Sequence, residues 1–202
     1  MNPAINFGSQ AFVPRLFSAS SASKAANAAS ASRLLKEALS FFSGVLLISL
    51  LAQLAFPLPF TPVPITGQTF GVSLVALLWG KRRALGIMTG YLALGAVGAP
   101  VFALGAASLA FGPTLGYLLG MWFSVQLVGY LADRGWGRSF WRAWVACFAG
   151  SLLVFAFGVL VLSFFVPASQ LWMAGVLPFI PGDLIKTTLA AGAAVFLNQK
   201  VR

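Results

Sequence analysis

Two charged residues stand inside an otherwise apolar stretch near the end of the chain, and their spacing suggests a binding site. Asp183 and Lys186 belong to the run Pro-Gly-Asp-Leu-Ile-Lys at residues 181–186. A spacing of i, i+3 places both side chains on one face of a helix. Burying either charge in a bilayer costs at least about 2.5–3.5 kcal/mol on insertion scales. The pair therefore indicates either a local ion pair or a site for a polar ligand.

The position of Lys186 favours the ligand. Asp183 suits a helix start that follows Pro181 and Gly182, because a carboxylate there caps free backbone N–H groups. A cation in the first turn opposes the helix dipole, so capping does not explain Lys186. A helix start followed by a lysine is better suited to an anionic or strongly polar ligand. The structural ion pair remains the alternative.

The composition predicts that this pair lies in a polytopic membrane protein. Of 202 residues, 59% are hydrophobic and 8% are charged, and no soluble domain of this size buries so much apolar surface. The net charge of +10 does not indicate nucleic-acid binding, because the basic residues form separate clusters between apolar runs. Histidine is absent and Cys147 is the only cysteine. We therefore expect no zinc, haem or iron–sulfur site, no disulfide and no cofactor.

The first part of the chain differs from the rest. Residues 18–32 are almost entirely Ala and Ser, and no acid precedes Glu37. We expect residues 1–36 to form a flexible Ala/Ser-rich tail and residues 37–202 to form the membrane domain. An organelle transit peptide has a similar composition and stays open as an alternative.

Six apolar segments follow the tail, and they predict an all-α membrane protein built as a six-helix transmembrane bundle. The segments are 38–56, 67–80, 84–99, 114–132, 143–166 and 179–198. A crossing helix needs about 20 residues, so the second and third segments are expected to tilt or to be shielded by neighbours. The segments lack the alternation of barrel strands, and helices are the remaining way to satisfy the backbone in lipid.

The charges orient this bundle. Of the 13 basic residues, 12 precede the first segment, follow the last, or lie between segments two and three or four and five. The other connections, 57–66, 100–113 and 167–178, carry no charge. The positive-inside rule therefore places both termini and both basic loops in the cytoplasm. We expect the apolar outer loops to fold inward as a lid over a cavity; resting among the lipid headgroups is the alternative.

Further polar residues near the outer ends of the predicted helices could complete a pocket around the charged pair. They are Thr66, Gln68, Tyr91, Thr114 and Tyr117. All but Tyr91 stand near the outer end of their segment, as a common pocket requires. Each of them taken alone is about as compatible with a packing or interfacial role.

Four sequence blocks in this order resemble the BioY family, the membrane-embedded biotin-binding (S) components of energy-coupling-factor (ECF) transporters. The blocks are Pro59-Phe60-Thr61-Pro62-Val63-Pro64-Ile65-Thr66-x-Gln68-Thr69-Phe70, Gly98-x-Pro100-Val101-Phe102, Gly112-Pro113-Thr114-x-Gly116-Tyr117 and Pro181-Gly182-Asp183-x-x-Lys186. Together they span the membrane part, roughly residues 38–200. The chain departs from the family at residues 103–108, where glycine is usual, so contacts from that loop are not carried over.

The resemblance implies a six-helix bundle in a bacterial plasma membrane that binds biotin near its outer face. It assigns the family's Asp and Lys to Asp183 and Lys186. It implies as partners a transmembrane coupling protein and two ATPase subunits, because the chain has no phosphate-binding loop of its own. Some relatives lack dedicated partners, so uptake by the chain alone stays open.

The resemblance thus implies high-affinity biotin uptake by a substrate-capture subunit. The alternative is the same scaffold carrying a different small vitamin-like solute. An enzyme is not expected, because an aspartyl mechanism needs two neighbouring carboxylates. Asp183 and Asp133 are assigned to opposite faces of the bilayer, and Glu37 is assigned to the cytoplasm.

Overall fold

The computed structural model describes residues 13–200, and its contacts divide the chain into two units between Leu39 and Ser40. The first unit is helical as far as it is described, because helix α1 runs from Val13 to Gln53. Residues 13–36 belong to this helix, and residues 1–12 lie outside the described part. Alanine is the strongest helix former, and its abundance explains the helix. The flexible tail over residues 1–36 and the domain boundary at residue 36 stay predictions.

The second unit holds the end of α1 and all later elements. These are β1 (Ala55–Leu58), β2 (Thr61–Thr66), α2 (Gln68–Ala96), α3 (Leu115–Asp133), α4 (Phe140–Leu162), α5 (Leu171–Gly175) and α6 (Ile180–Lys200). Helix α3 packs between α2 and α4, and α6 packs against the same two helices. The core between them includes Val75, Met88, Val125 and the single cysteine, Cys147.

The predicted all-α membrane fold is confirmed. Four described helical stretches are long and apolar enough to cross a membrane, namely Asn27–Gln53, Leu115–Asp133, Phe140–Leu162 and Ala168–Lys200. Large apolar side chains such as Leu160, Leu189 and Phe196 are exposed, as a lipid-facing surface requires. The count of six spans stays a prediction, because the second and third predicted segments belong to one helix, α2.

Helix α2 is broken at a single residue, so the expected loop at Lys81–Arg83 is wrong. Gly80 has φ 72° and ψ 177°, a conformation that essentially only glycine adopts. A Cβ at this position would also strike the Asp133 carboxylate. The same carboxylate accepts a hydrogen bond from the Lys81 backbone N–H at 3.1 Å and caps the second half of α2.

The basic connections gather at one end of the second unit, here called the basic end. The contact between Lys81 and Asp133 joins the break in α2 to the end of α3. The Asn198 amide donates to the Gly137 carbonyl oxygen at 2.9 Å and joins the end of α6 to the α3–α4 turn.

The opposite end, here called the hairpin end, carries the uncharged connections. Strands β1 and β2 pair antiparallel there, with Ala55 opposite Thr66 and Leu58 opposite Thr61. A two-stranded ribbon tolerates its prolines because both strands are edge strands. The prolines of residues 57–66 thus lie in the two strands and in the turn between them.

Candidate functional site

A cavity of about 300 Å³ lies at the hairpin end. This is within the size range of small-molecule sites, roughly 300–1,000 Å³. Its apolar lining residues are Pro62, Val63, Pro64, Phe102, Ala103, Leu104, Ala106, Leu118, Met121, Val154, Phe155 and Phe179. Its polar lining residues are Thr66, Gln68, Thr69, Ser108, Thr114, Tyr117, Asp183 and Lys186. Apolar walls with a few convergent polar groups are typical of ligand sites.

Asp183 and Lys186 reach this cavity from the first two turns of α6. Asp183 is 6% exposed. Although both residues are in the described part of the chain, no nitrogen–oxygen distance between them falls within 4.0 Å. The Lys186 ammonium donates instead to the Thr66 carbonyl oxygen at 3.1 Å. The Asp183 carboxyl lies beside the hydroxyl of buried Ser151 on α4. Each charge thus has a partner on another element in addition to its attraction to the other charge.

Gln68 is held in a fixed orientation at the start of α2. Its Nε2 donates to the Tyr91 hydroxyl oxygen at 2.5 Å, and the Thr66 hydroxyl donates to its Oε1 at 3.1 Å. These two hydrogen bonds fix the positions of the amide nitrogen and oxygen, so the side chain presents a defined donor and acceptor.

Tyr91 takes a different place from the other predicted site residues. It is fully buried and is not part of the cavity lining. Its hydroxyl donates to the Val101 carbonyl oxygen at 3.2 Å while accepting from Gln68. The structure thus places Tyr91 behind Gln68, where it supports a lining residue.

Tyr117 and Thr114 line the cavity from the start of α3. The Tyr117 hydroxyl donates to the Gly175 carbonyl oxygen at 2.8 Å. The absence of a side chain at Gly158 leaves room for its ring. Because the hydroxyl is engaged by the protein, Tyr117 offers the cavity mainly an aromatic face. Thr114 precedes the first residue of α3 and contributes its side chain to the lining.

Two of the three uncharged connections, 57–66 and 100–113, contribute to the wall of the cavity. Strand β2 supplies Pro62, Val63 and Pro64. The connection between α2 and α3 supplies residues between Phe102 and Ser108. The second set includes the loop that departs from the family pattern, from which no contact was carried over.

The sequence analysis missed Thr69 as a site residue. Its hydroxyl is buried and is the one side-chain polar atom in the described residues that is buried without a hydrogen-bond partner. Thr69 also lines the cavity, so a ligand could supply the missing partner. The signal was its place directly after Gln68 in the same block. Among the described residues, no cluster of three or more His, Cys, Asp or Glu side chains could hold a metal ion.

Comparisons with known proteins agree with this architecture. The BioY family model matches residues 21–202. The biotin transporter BioY of Thermotoga maritima is 37% identical over 145 residues, covering 70% of this chain and 85% of that protein. The biotin transporter BioY of Rhizobium etli is 36% identical over 157 residues, covering 70% and 82%.

A solved structure has a fold similar to that of this chain. The S-component for biotin from an ECF-type ABC transporter matches with a TM-score of 0.77 and 26% identity, covering 83% of this chain and 93% of that chain. The residues that the family model matches include the cavity walls and the charged pair of α6. These matches agree with the helical membrane fold and with the polar pair at the cavity. The chain therefore belongs to the BioY family, a family of transporters and not of enzymes.

Proposed function

We propose that this chain takes up biotin as the substrate-capture subunit of an ECF-type transporter. The observation that carries the proposal is the cavity at the hairpin end, where an acid, a base and an oriented amide meet apolar walls. The names of its relatives, biotin transporter BioY and S-component for biotin, support the choice of ligand.

The polar groups of the cavity complement those of biotin. Biotin has two ureido N–H donors, a ureido carbonyl and a carboxylate tail. A carboxylate such as Asp183 accepts hydrogen bonds from N–H groups, and the Lys186 ammonium has three N–H donors. Thr66 uses one of these donors, which leaves two for a ligand carbonyl or carboxylate. A charge-assisted bond of this kind is about twice as strong as a neutral one.

The apolar part of the cavity suits the rest of the molecule. Phe102, Phe155 and Phe179 line the cavity, and aromatic side chains offer large flat surfaces to a fused ring and an aliphatic chain. In the proposed site the ligand contacts are Asp183, Lys186, Gln68, Thr66, Thr114 and Tyr117, with Tyr91 acting through Gln68. No cofactor is needed for binding, and ATP is used only by partner subunits.

The proposed membrane orientation places both termini in the cytoplasm of a bacterial plasma membrane and the cavity at the outer face. It is supported by the basic end, where Lys81–Arg83 and Arg134 lie beside the break in α2 and the end of α3. Positive loops stay in the cytoplasm. Energy for release would come from a transmembrane coupling protein and two ATPase subunits, and uptake without them stays open.

Equilibrium binding of labelled biotin to the purified protein tests the proposal. We expect saturable binding that unlabelled biotin displaces and that other vitamins do not. Displacement by another vitamin at lower concentration than biotin would favour the alternative solute. No saturable binding of biotin would remove the proposal.

A further inference from the structure

Gln53, the last residue of α1, grips both sides of a turn that lines the cavity. Its Nε2 donates to the Phe102 carbonyl oxygen at 3.0 Å and lies 3.5 Å from that of Val101. Its Oε1 accepts from the Gly105 backbone N–H at 3.1 Å. One carboxamide therefore bonds a carbonyl and an amide of the same turn, about 50 positions away along the chain, in addition to the bond that these two groups make with each other. We call residues 101–106 the lid segment.

The turn that Gln53 grips is conformationally strained. Leu104 has φ 58° and is the one non-glycine residue with positive φ in the described part of the chain. A branched side chain in this left-handed region costs free energy, and such a conformation persists only where the surroundings over-determine it. Backbone hydrogen bonds within the turn, from Phe102 N–H to the Ala106 carbonyl oxygen and from Gly105 N–H to the Phe102 carbonyl oxygen, supply part of this constraint. Gln53 adds to it from outside the turn, because its two ends hold residues on either side of Leu104.

The lid segment is also connected to the floor of the cavity. The Val101 carbonyl oxygen near Gln53 accepts a hydrogen bond from the Tyr91 hydroxyl, which in turn accepts from Gln68. The ring of buried Phe102 meets the Tyr91 ring edge to face, with centroids 5.3 Å apart. A ligand contact at Gln68 and the closed turn thus share one hydrogen-bonded network.

We propose that Gln53 is a latch: it holds the lid segment closed over the cavity and so sets the rate at which bound ligand leaves. The inference rests on the proposed function for the identity of the ligand, biotin. Gln53 does not line the cavity, so it is a positioning residue and acts through the lid segment.

Dissociation kinetics of labelled biotin test the latch. We expect Gln53→Ala to raise the dissociation rate about tenfold, which corresponds to about 1.4 kcal/mol and to the net worth of one or two hydrogen bonds. The association rate should change less, because an open lid does not hinder entry. The matched control is Gln126→Ala: Gln126 Nε2 reaches only the Trp122 carbonyl oxygen of its own helix, at 3.5 Å. This control should leave dissociation unchanged.

Hydrogen–deuterium exchange of the lid segment gives a readout that needs no ligand. In ligand-free Gln53→Ala we expect the amides of residues 101–106, Gly105 above all, to exchange faster than in wild type and in the control. Faster exchange in a protein that binds no biotin would support the latch and refute the proposed function. Biotin binding with unchanged dissociation and unchanged exchange would overturn the latch. If Gln53→Ala fails to fold, Gln53→Asn, which is too short to span the turn, must show the same two effects.

Discussion

Replacing Lys186 by methionine separates its role in binding from any role in folding. Methionine keeps most of the apolar part of the side chain and removes the ammonium, with its charge and its N–H donors. The ammonium bonds the Thr66 carbonyl oxygen, and no ion pair joins it directly to Asp183 within the described residues. The substitution therefore removes one hydrogen bond of the free protein and, in the complex, the proposed charge-assisted contact with biotin.

The magnitude follows from these contacts. A hydrogen bond to a charged group contributes about 1.5–3 kcal/mol, so the biotin dissociation constant should rise about 10- to 150-fold. Stability without ligand should fall by less than this, because removing the unfavourable burial of the ammonium offsets part of the lost bond to Thr66 and of the lost attraction to Asp183. These two expectations distinguish a ligand-binding lysine from a structural one.

The assay is equilibrium binding of labelled biotin together with thermal unfolding of the ligand-free protein. Lys200→Met is the matched control, because Lys200 ends α6 at the basic end and is not part of the cavity lining. Wild-type affinity in Lys186→Met, or a large loss of ligand-free stability with no separate loss of affinity, would refute the reasoning.

Three further substitutions test the supporting structure. Gly80→Ala should destabilise the fold by about 2 kcal/mol or more, measured by thermal unfolding. Position 80 has a conformation that essentially only glycine adopts, and a Cβ there would strike Asp133. An unchanged unfolding midpoint would contradict the break in α2. Thr69→Val should leave ligand-free stability unchanged or improved, because it removes a hydroxyl without a partner, and should weaken biotin binding several-fold; Thr69→Ser is its control, and equal affinity of both would exclude the hydroxyl from the site. Tyr91→Phe should weaken biotin binding about fivefold or more, because the Gln68 amide loses its hydrogen-bond partner. Wild-type affinity of this variant would show that Tyr91 does not act through Gln68.

The sequence predicted the membrane fold from its composition, and all the candidate site residues except Tyr91 line one cavity. The connections without charge indicated which end of the bundle carries the cavity. The i, i+3 spacing placed Asp183 and Lys186 on one side of α6. Polar residues near the outer ends of separate segments converge because the helices are packed side by side. These patterns are local in the sequence, so they can be recognised in a single sequence.

Other features depend on tertiary contacts that no local pattern contains. Lys81–Arg83 were interpreted as a loop because three adjacent charges usually end a span, yet one left-handed glycine makes the turn. Tyr91 stands mid-helix, and only the structure places its hydroxyl between Gln68 and Val101. No local pattern indicates the contacts of Gln53, because its partners lie about 50 residues away.

A structure determined with biotin bound tests the central claim most directly. We predict that biotin occupies the cavity at the hairpin end, with its ureido group or carboxylate within hydrogen-bond distance, about 2.7–3.2 Å, of both Asp183 and Lys186. Biotin bound elsewhere, or an Asp183–Lys186 ion pair that excludes it from the cavity, would contradict the account.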